Sequence, residues 1–290
     1  MSLRFTILGP IRVWAGATAV PLDSQRQRAV LATLLLRIGR YVSPDEIAGV
    51  LWGTRTPGNA SELVRAAAER LSGTLGTHGF DLRATRRGYR LDSGAAHEFD
   101  LRATRRGYRL DSGAAHEFDP PATRHGYRLD SGAAHEFDPP ATRRDYRLDL
   151  GAAHEFDLPA FRCGAARAAE ALAAGDGYQA WQGFSAALRL WRGEPAAGLA
   201  AGVRERLPVA PLAAERAAAL VGLGHAGLAL GRYQELTTLL ADEAGREPFN
   251  EPLNAQLMHA YAELGRNDDA LRVFGAIRYR LTSQLGVQLA

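Results

Sequence analysis

Between Arg26 and Gly53 the apolar positions fall at helical spacing in two short runs divided by a polar junction. Leu31, Leu34, Leu35 and Ile38 occupy i, i+3, i+4 and i+7, one face of a 3.6-residue period, and Gly39 supplies a stop. Ser43-Pro44-Asp45-Glu46 predicts the next helix start: Ser43 caps free N–H groups, Pro44 fits the first helical position, and Glu46 closes a capping box. That helix buries Ile47, Val50 and Leu51. After a Pro57-Gly58 breaker, Asn59 and Glu62 repeat the capping pattern, and Leu63, Ala67 and Leu71 form a third stripe. Ahead of the helices, apolar runs from Leu3 to Leu8, Ile11 to Val13 and Ala19 to Leu22 read as a small antiparallel sheet. Three capped helices followed by a strand pair predict a winged helix, and the leading sheet makes it of the response-regulator type. The plainer alternative is a small α+β domain with no binding role.

From Asp81 the pattern changes to a tandem repeat. DLRATRRGYRLDSGAAHEF recurs four times at a period of 19, marked by Tyr89, Tyr108, Tyr127 and Tyr146 and by His97, His116, His135 and His154. Each unit reads as strand, turn, strand and polar tail, a wing followed by the start of a linker. Copies three and four open with Pro120-Pro121 and Pro139-Pro140, and copy four has Asp145 at the Gly turn position, so only the first two keep an intact hairpin pattern. Each copy offers Leu, Tyr and Phe among charges, too little apolar surface for a stacked solenoid, which favours extra hairpins or a partly disordered insert. Copy one follows the third helix directly and is expected to be the native wing; copy four runs into the next domain and is expected to supply the linker. The histidine spacing is a by-product of duplication, without clustered Cys or carboxylate ligands, and no metal site is expected.

After Asp157 the pattern is helical to the end. Leu230-Gly231-Arg232 and Leu264-Gly265-Arg266 lie 34 residues apart, the period of tetratricopeptide helix pairs. Leu257, Tyr261, Gly265, Ala270 and Phe274 supply the bulky, bulky, turn, small and bulky positions of one pair; Leu223, Gly224, Gly231 and Pro248 do so for another. Gly175, Ala180, Phe184 and Ala187 suggest a third. Helix starts are expected near Leu158, Gly177, Ala210, Arg232, Glu251 and Asn267, in a stack docked near the head with a concave partner surface. The fold class is therefore α+β: a winged helix over residues 1–92, duplicated wing and linker repeats over 93–149, and an all-α tetratricopeptide-like domain over 150–290.

Composition narrows the function classes. At 290 residues and 46% hydrophobic the chain can bury the cores of two domains. No run approaches a membrane span and no signal peptide is read, so a cytoplasmic, nucleoid-associated protein is expected. A lone Cys163 fits a reducing compartment as core or surface filler. All 35 basic residues are arginine, and the net charge of +3 argues little by itself, but residues 1–80 hold nine Arg against five acids. With no lysine there is no phosphate loop of the Gly-Lys type, and no paired His, Cys or carboxylate spacing lies outside the repeats; no catalytic residues and no cofactor are expected.

Gln27-Arg28-Ala29, Arg40-Tyr41-Val42-Ser43, Leu51-Trp52-Gly53 and Gly88-Tyr89-Arg90-Leu91-Asp92 resemble the winged helix of the Streptomyces antibiotic regulatory protein family. Asp157-Leu158 with Phe161, Leu190-Trp191-Arg192-Gly193, Gln256-Leu257-Met258, Gly265-Arg266 and Leu285-Gly286-Val287 resemble the bacterial transcriptional activator domain that follows it in that family. The resemblance implies an activator that binds tandem direct repeats in double-stranded promoter DNA of secondary metabolism, where the repeats can seat a homodimer, and recruits RNA polymerase holoenzyme. It implies neither the ATPase nor the sensor modules of larger relatives. The DNA-binding candidates are Arg26, Arg28, Ser61, Arg65, Arg70, Arg83, Arg86 and Arg87. Arg65 is placed for a base contact, or for pairing with Glu69 one turn on. The wing arginines Arg83, Arg86 and Arg87 suit phosphate or minor-groove contacts, or form a merely solvated turn. Arg26 and Arg28 flank the first helix, and Arg28 equally suits a structural role. The third helix is Ala-rich and its arginines are offset by Glu62 and Glu69, which departs from the family's Gln-, Ser-, Arg- and Lys-rich recognition face. The alternative function is a protein-interaction regulator whose head has lost specific DNA binding.

Overall fold

The computed structural model describes residues 2–38, 40–78, 80–85, 88–93, 146–148 and 155–285. Arg86, Arg87, Gly39, the repeat histidines and the remainder of the 93–149 segment lie outside the described residues.

The head opens with β1 (Leu3–Thr6), β2 (Arg12–Ala15) and β3 (Thr18–Val20), an antiparallel meander with Phe5 opposite Val13 and Val13 opposite Val20. Alternation puts Leu3, Phe5 and Val13 in the core while Arg4 and Arg12 face out. Helices α1 (Gln25–Leu36), α2 (Pro44–Trp52) and α3 (Ala60–Gly76) pack on one another, burying Leu31, Leu34, Leu35, Ile47, Val64 and Leu71. The strand β4 (Tyr41–Val42) lies in the α1–α2 junction. The expected capping box at Ser43 and Glu46 is present, with Glu46 N–H donating to Ser43 Oγ and Ser43 N–H to Glu46 Oε2, both at 3.1 Å. A second box, Ser24 with Gln27, opens α1. The expected cap at Asn59 is absent: its side chain caps nothing, because its backbone, at φ −99° and ψ 22°, lies outside the extended region from which a capping side chain reaches the next turn's N–H groups.

A hairpin of β5 (Phe80–Thr85) and β6 (Gly88–Ser93) follows α3, giving three helices and then a wing. A further strand, β7 (Tyr146–Leu148), lies in the fourth repeat copy. It pairs in parallel with β6, Tyr89 opposite Tyr146 and Leu91 opposite Leu148, and antiparallel with β4, so the sheet order is β4-β7-β6-β5. The reading from sequence left Tyr146–Leu148 as surplus repeat; it forms the sheet position between β4 and the wing. The strand β8 (Glu155–Phe156) then joins β1 in parallel as the fourth strand of the first sheet.

The rest is helical: α4 (Asp157–Ala173), α5 (Gly177–Leu188), the short α6 (Ala201–Arg204), α7 (Ala210–Ala229), α8 (Tyr233–Arg246), α9 (Glu251–Glu263) and α10 (Asn267–Leu285). All six expected starts fall within one residue of an observed one. Gly175, Gly231 and Gly265 end α4, α7 and α9 with φ of +80°, +66° and +72°, the left-handed geometry that glycine adopts without a Cβ penalty. Inside the stack glycine serves close approach: a Cβ on Gly227 would stand 2.6 Å from Trp181 Cζ3 and 2.8 Å from Leu236, and one on Gly222 would lie 2.4 Å from Phe184 Cζ. Among the described residues no helix is long and apolar enough to cross a membrane.

Candidate nucleic-acid interface

Helix α3 follows α2 through the turn at Gly53–Arg55 and seats Val64, Ala67, Ala68, Leu71 and Leu75 in the head core. Its opposite face carries Ser61, Glu62, Arg65, Glu69 and Arg70, all exposed. Arg65 Nε lies 3.9 Å from Glu69 Oε1, one turn on, with both side chains more than half exposed. Such a pair is worth about 0.3–0.5 kcal/mol, so a stronger acceptor can take the guanidinium from it. Arg70 and Arg26 line one cavity of about 230 Å³ with Ser24, Gln25, Leu63, Ala66 and Ala67. The Arg26 guanidinium stands 5.9 Å from the Trp52 ring centroid, a cation–π contact linking the α1 start to the α2 end. Arg26 and Arg70 are thus brought to one cavity, while Ser61 and Arg65 are exposed elsewhere on α3.

Arg28 joins neither group. Its Nε donates to Leu22 O at 3.2 Å and its Nη1 to Gly198 O at 3.5 Å, where Gln25 Nε2 also donates at 2.9 Å. These bonds direct it inward, toward the helical half. Arg83 sits in β5 opposite Arg90 of β6, and the turn residues Arg86 and Arg87 lie outside the described residues.

The head's pose is fixed by a junction that the sequence did not announce. Asp157, the first residue of α4, is buried and accepts from the Ile7 N–H at 3.0 Å, the Leu8 N–H at 3.1 Å and Arg192 Nη2 at 3.0 Å. Burial pushes its carboxyl above the ordinary carboxylate value, against the opposing pull of the two N–H donors and Arg192. Around it the backbones interlock: Arg192 N–H to Leu8 O at 2.7 Å, Ala196 N–H to Ile7 O at 2.9 Å and Ala197 N–H to Gly9 O at 3.0 Å. A Cβ at Gly9, whose φ is +151°, would lie 2.9 Å from Arg192 Cβ. From the far side Arg206 Nε donates to Val50 O at 2.8 Å and its Nη2 to Leu51 O at 3.0 Å. A cation from the helical half therefore satisfies the free carbonyls ending α2, where the helix dipole also favours it.

With that geometry in place, comparison with known proteins is informative. Residues 156–290 match the model of the bacterial transcriptional activator domain. The regulatory protein AfsR of Streptomyces griseus is 43% identical over 75 residues, 26% of this chain and 8% of that protein. DnrI of Streptomyces peucetius, also a regulatory protein, is 37% identical over 36% of this chain and 39% of its own. The helical half thus matches the bacterial transcriptional activator domain, and the chain is similar to regulators of the Streptomyces antibiotic regulatory protein type. Similarity also runs the whole length: the transcriptional regulatory protein EmbR of Mycobacterium tuberculosis is 27% identical over 98% of this chain and 60% of EmbR. The structure of M. tuberculosis EmbR in complex with a low-affinity phosphopeptide superposes with a TM-score of 0.70 at 26% identity, covering 99% of this chain and 62% of that one. The chain thus spans about three fifths of the mycobacterial relative and a small part of AfsR.

Proposed function

We propose that the chain is a sequence-specific DNA-binding activator of secondary-metabolite (antibiotic) biosynthesis genes, which docks on tandem direct repeats in promoter DNA and recruits RNA polymerase holoenzyme. The observation that supports this is α3 itself, held by the α2–α3 turn, on which Ser61, Arg65 and Arg70 are exposed and Arg70 shares a cavity with Arg26. In a winged helix that face enters the major groove, where an arginine reads guanine through two hydrogen bonds. Arg65 is the base-reading residue; Arg26 and Arg70 position the backbone, with Arg83, Arg86 and Arg87 on the wing. Residues 1–92 form the DNA-binding unit, 93–149 the repeat segment and 150–290 the activator domain, whose concave side meets polymerase or a second copy in the cytoplasm.

Footprinting on DNA upstream of the neighbouring operon, over a range of salt, tests the proposal. It predicts protection of evenly phased direct repeats and an affinity that falls steeply with salt as counterions are released. Equal, weak retention of all sequences would sink it. That second outcome would favour a protein-interaction regulator without base readout, a reading supported by the Arg65–Glu69 pair and by Ala66-Ala67-Ala68, which offers no hydrogen-bonding side chain on α3.

A further inference from the structure

Small residues serve two ends in the helical half. Between α4 and α5 they bring the backbones together, so that a Cβ on Gly183 would stand 2.8 Å from Ala168 Cβ. Between α4 and α7 they leave room: Ala165, Ala169 and Ala173 on one helix and Ala218, Ala219 and Gly222 on the other line a cavity of about 590 Å³. Small-molecule sites commonly have volumes of about 300–1,000 Å³. Phe161 and the α5 residue Phe184, both buried, give the cavity an aromatic floor.

The two ends of this slot differ. Near the starts of both helices Arg162 of α4 and Glu215 of α7 join across it in a bidentate pair, Nε to Oε2 and Nη2 to Oε1, each at 2.8 Å. His225 lines the other end, ten residues farther along α7 and so about 15 Å away at the helical rise. It is exposed, and among the described residues its imidazole has no hydrogen bond or ion pair. One end is therefore electrostatically satisfied and the other offers an open donor. A helix, about 10–12 Å across with its side chains, would have to break the Arg162–Glu215 pair to pass along the slot. A molecule of the slot's own length leaves that pair intact.

We propose that the slot between α4 and α7 is a binding site for a flat, mainly apolar small molecule. Its rings lie over Phe161 and Phe184, and its one oxygen acceptor, a carboxylate, phenolate or carbonyl, takes a hydrogen bond from His225. Rings suit the floor better than saturated chains because aromatic pairs attract beyond the area they bury. The site is independent of the DNA-binding reading and adds to it. Phe161 also meets Trp191 edge-on at 5.4 Å, and the adjacent Arg192 bonds to Asp157, so the slot and the head junction share α4.

The test is fluorescence titration of the full chain with two flat probes. Anilinonaphthalene sulfonate carries an acceptor in place of the ligand's oxygen group; the neutral phenylnaphthylamine lacks it. The parent is expected to bind both saturably, one per chain. Ala169→Phe and Ala218→Phe fill the slot from opposite walls at exposed positions, and each should abolish that binding while far-UV circular dichroism stays parental. His225→Leu should weaken the sulfonate by about tenfold and leave the neutral probe unchanged, since only the sulfonate loses a charge-assisted hydrogen bond. Phe274→Ser, on the exposed face of α10, should change neither affinity. Absence of saturable binding in the parent, binding kept in both filled variants, or loss in Phe274→Ser instead would overturn the site. Equal weakening of the two probes in His225→Leu would overturn the hydrogen bond from His225.

Discussion

The junction between head and helical half and the outer face of α3 both rely on arginine, in opposite states. At the junction Arg28, Arg192 and Arg206 end on named acceptors, the Leu22, Gly198, Val50 and Leu51 carbonyls and the buried Asp157 carboxylate. On α3, Arg65 has one loose partner and more than half its surface in solvent. Arginine abundance near a helix is therefore a poor guide to DNA contact in this chain. What separates the classes is whether the guanidinium's hydrogen bonds are already used inside the molecule. Arg28, a candidate on sequence grounds, falls with the internal set.

Breaking the junction should have the largest effect. Asp157→Ala strands two backbone N–H groups and loosens Arg192, and each buried unsatisfied donor costs about 1–3 kcal/mol, so a loss of about 3 kcal/mol is expected in urea unfolding. Arg192→Ala leaves the backbone bonds to Asp157 in place and removes a half-exposed cation, for about 1 kcal/mol. Equal losses in the two variants would show that the ion pair, and not the backbone capture, holds the junction.

The same contrast between filled and open surroundings orders the helical half. Gly227→Leu forces a side chain against Trp181 and Leu236 and should cost about 2 kcal/mol. Ala270, the small position of its helix pair, is only half-buried on α10. Helix α10 packs chiefly on α9 and leaves Leu271, Phe274 and Tyr279 exposed, so Ala270→Leu should cost about 1 kcal/mol or less. Thermal melts that rank the two variants the other way would contradict this packing.

Acid titration separates two buried carboxylates. Asp157 holds its proton to higher pH in the folded chain than in the unfolded one, so its contribution falls as pH rises from the ordinary carboxylate range through the raised folded value. Glu243 behaves oppositely. Burial raises it, but hydrogen bonds and charge from Arg216 and Arg246 outweigh burial and leave it lowered, so its contribution is present above the ordinary value and lost as pH falls through the folded one. Urea midpoints between about pH 3 and pH 7 should therefore lose the Asp157 component in Asp157→Asn and keep the Glu243 component.

The smallest expected effect belongs to the repeats. Deleting Ser93 through Asp149 removes 57 residues, Tyr146–Leu148 among them, yet leaves Tyr89-Arg90-Leu91, the same tripeptide, free to pair with β4. Shortening a surface loop changes closure entropy by about 0.6 kcal/mol per halving, so stability should shift by about 1 kcal/mol at most and any DNA binding of the parent should be kept. An insoluble deletion variant would show that the repeats build a core of their own.

Much of the fold could be read locally because local rules set it. The leucine stripe of α1, the capping box at Ser43 and the turn glycines 231 and 265 are decided within a few residues. The Ser24–Gln27 box follows the same local rule through its serine-x-x-glutamine pattern. Asn59 shows the limit: a capping sequence does not cap when the preceding turn holds its backbone outside the extended region, here at φ −99° and ψ 22°. Asp157 was illegible for another reason, since its partners Ile7 and Leu8 lie about 150 residues away and no local period records them. The place of β7 was hidden by identity itself, because four copies of Tyr-Arg-Leu offer the same strand to one site. Of the interface candidates, the exposed face of α3 is readable from its helical period, whereas the inward bonds of Arg28 to Leu22 and Gly198 depend on the folded chain.

The most direct test of DNA reading by α3 compares the affinity ratio, promoter repeat against mixed-sequence duplex at one salt concentration, for the parent and for Arg65→Ala. Loss of an arginine that contacts a base should reduce the ratio by about 1–3 kcal/mol of discrimination, while stability changes by no more than about 0.5 kcal/mol because the side chain is exposed. An unchanged ratio in a fully folded variant would contradict base readout through Arg65.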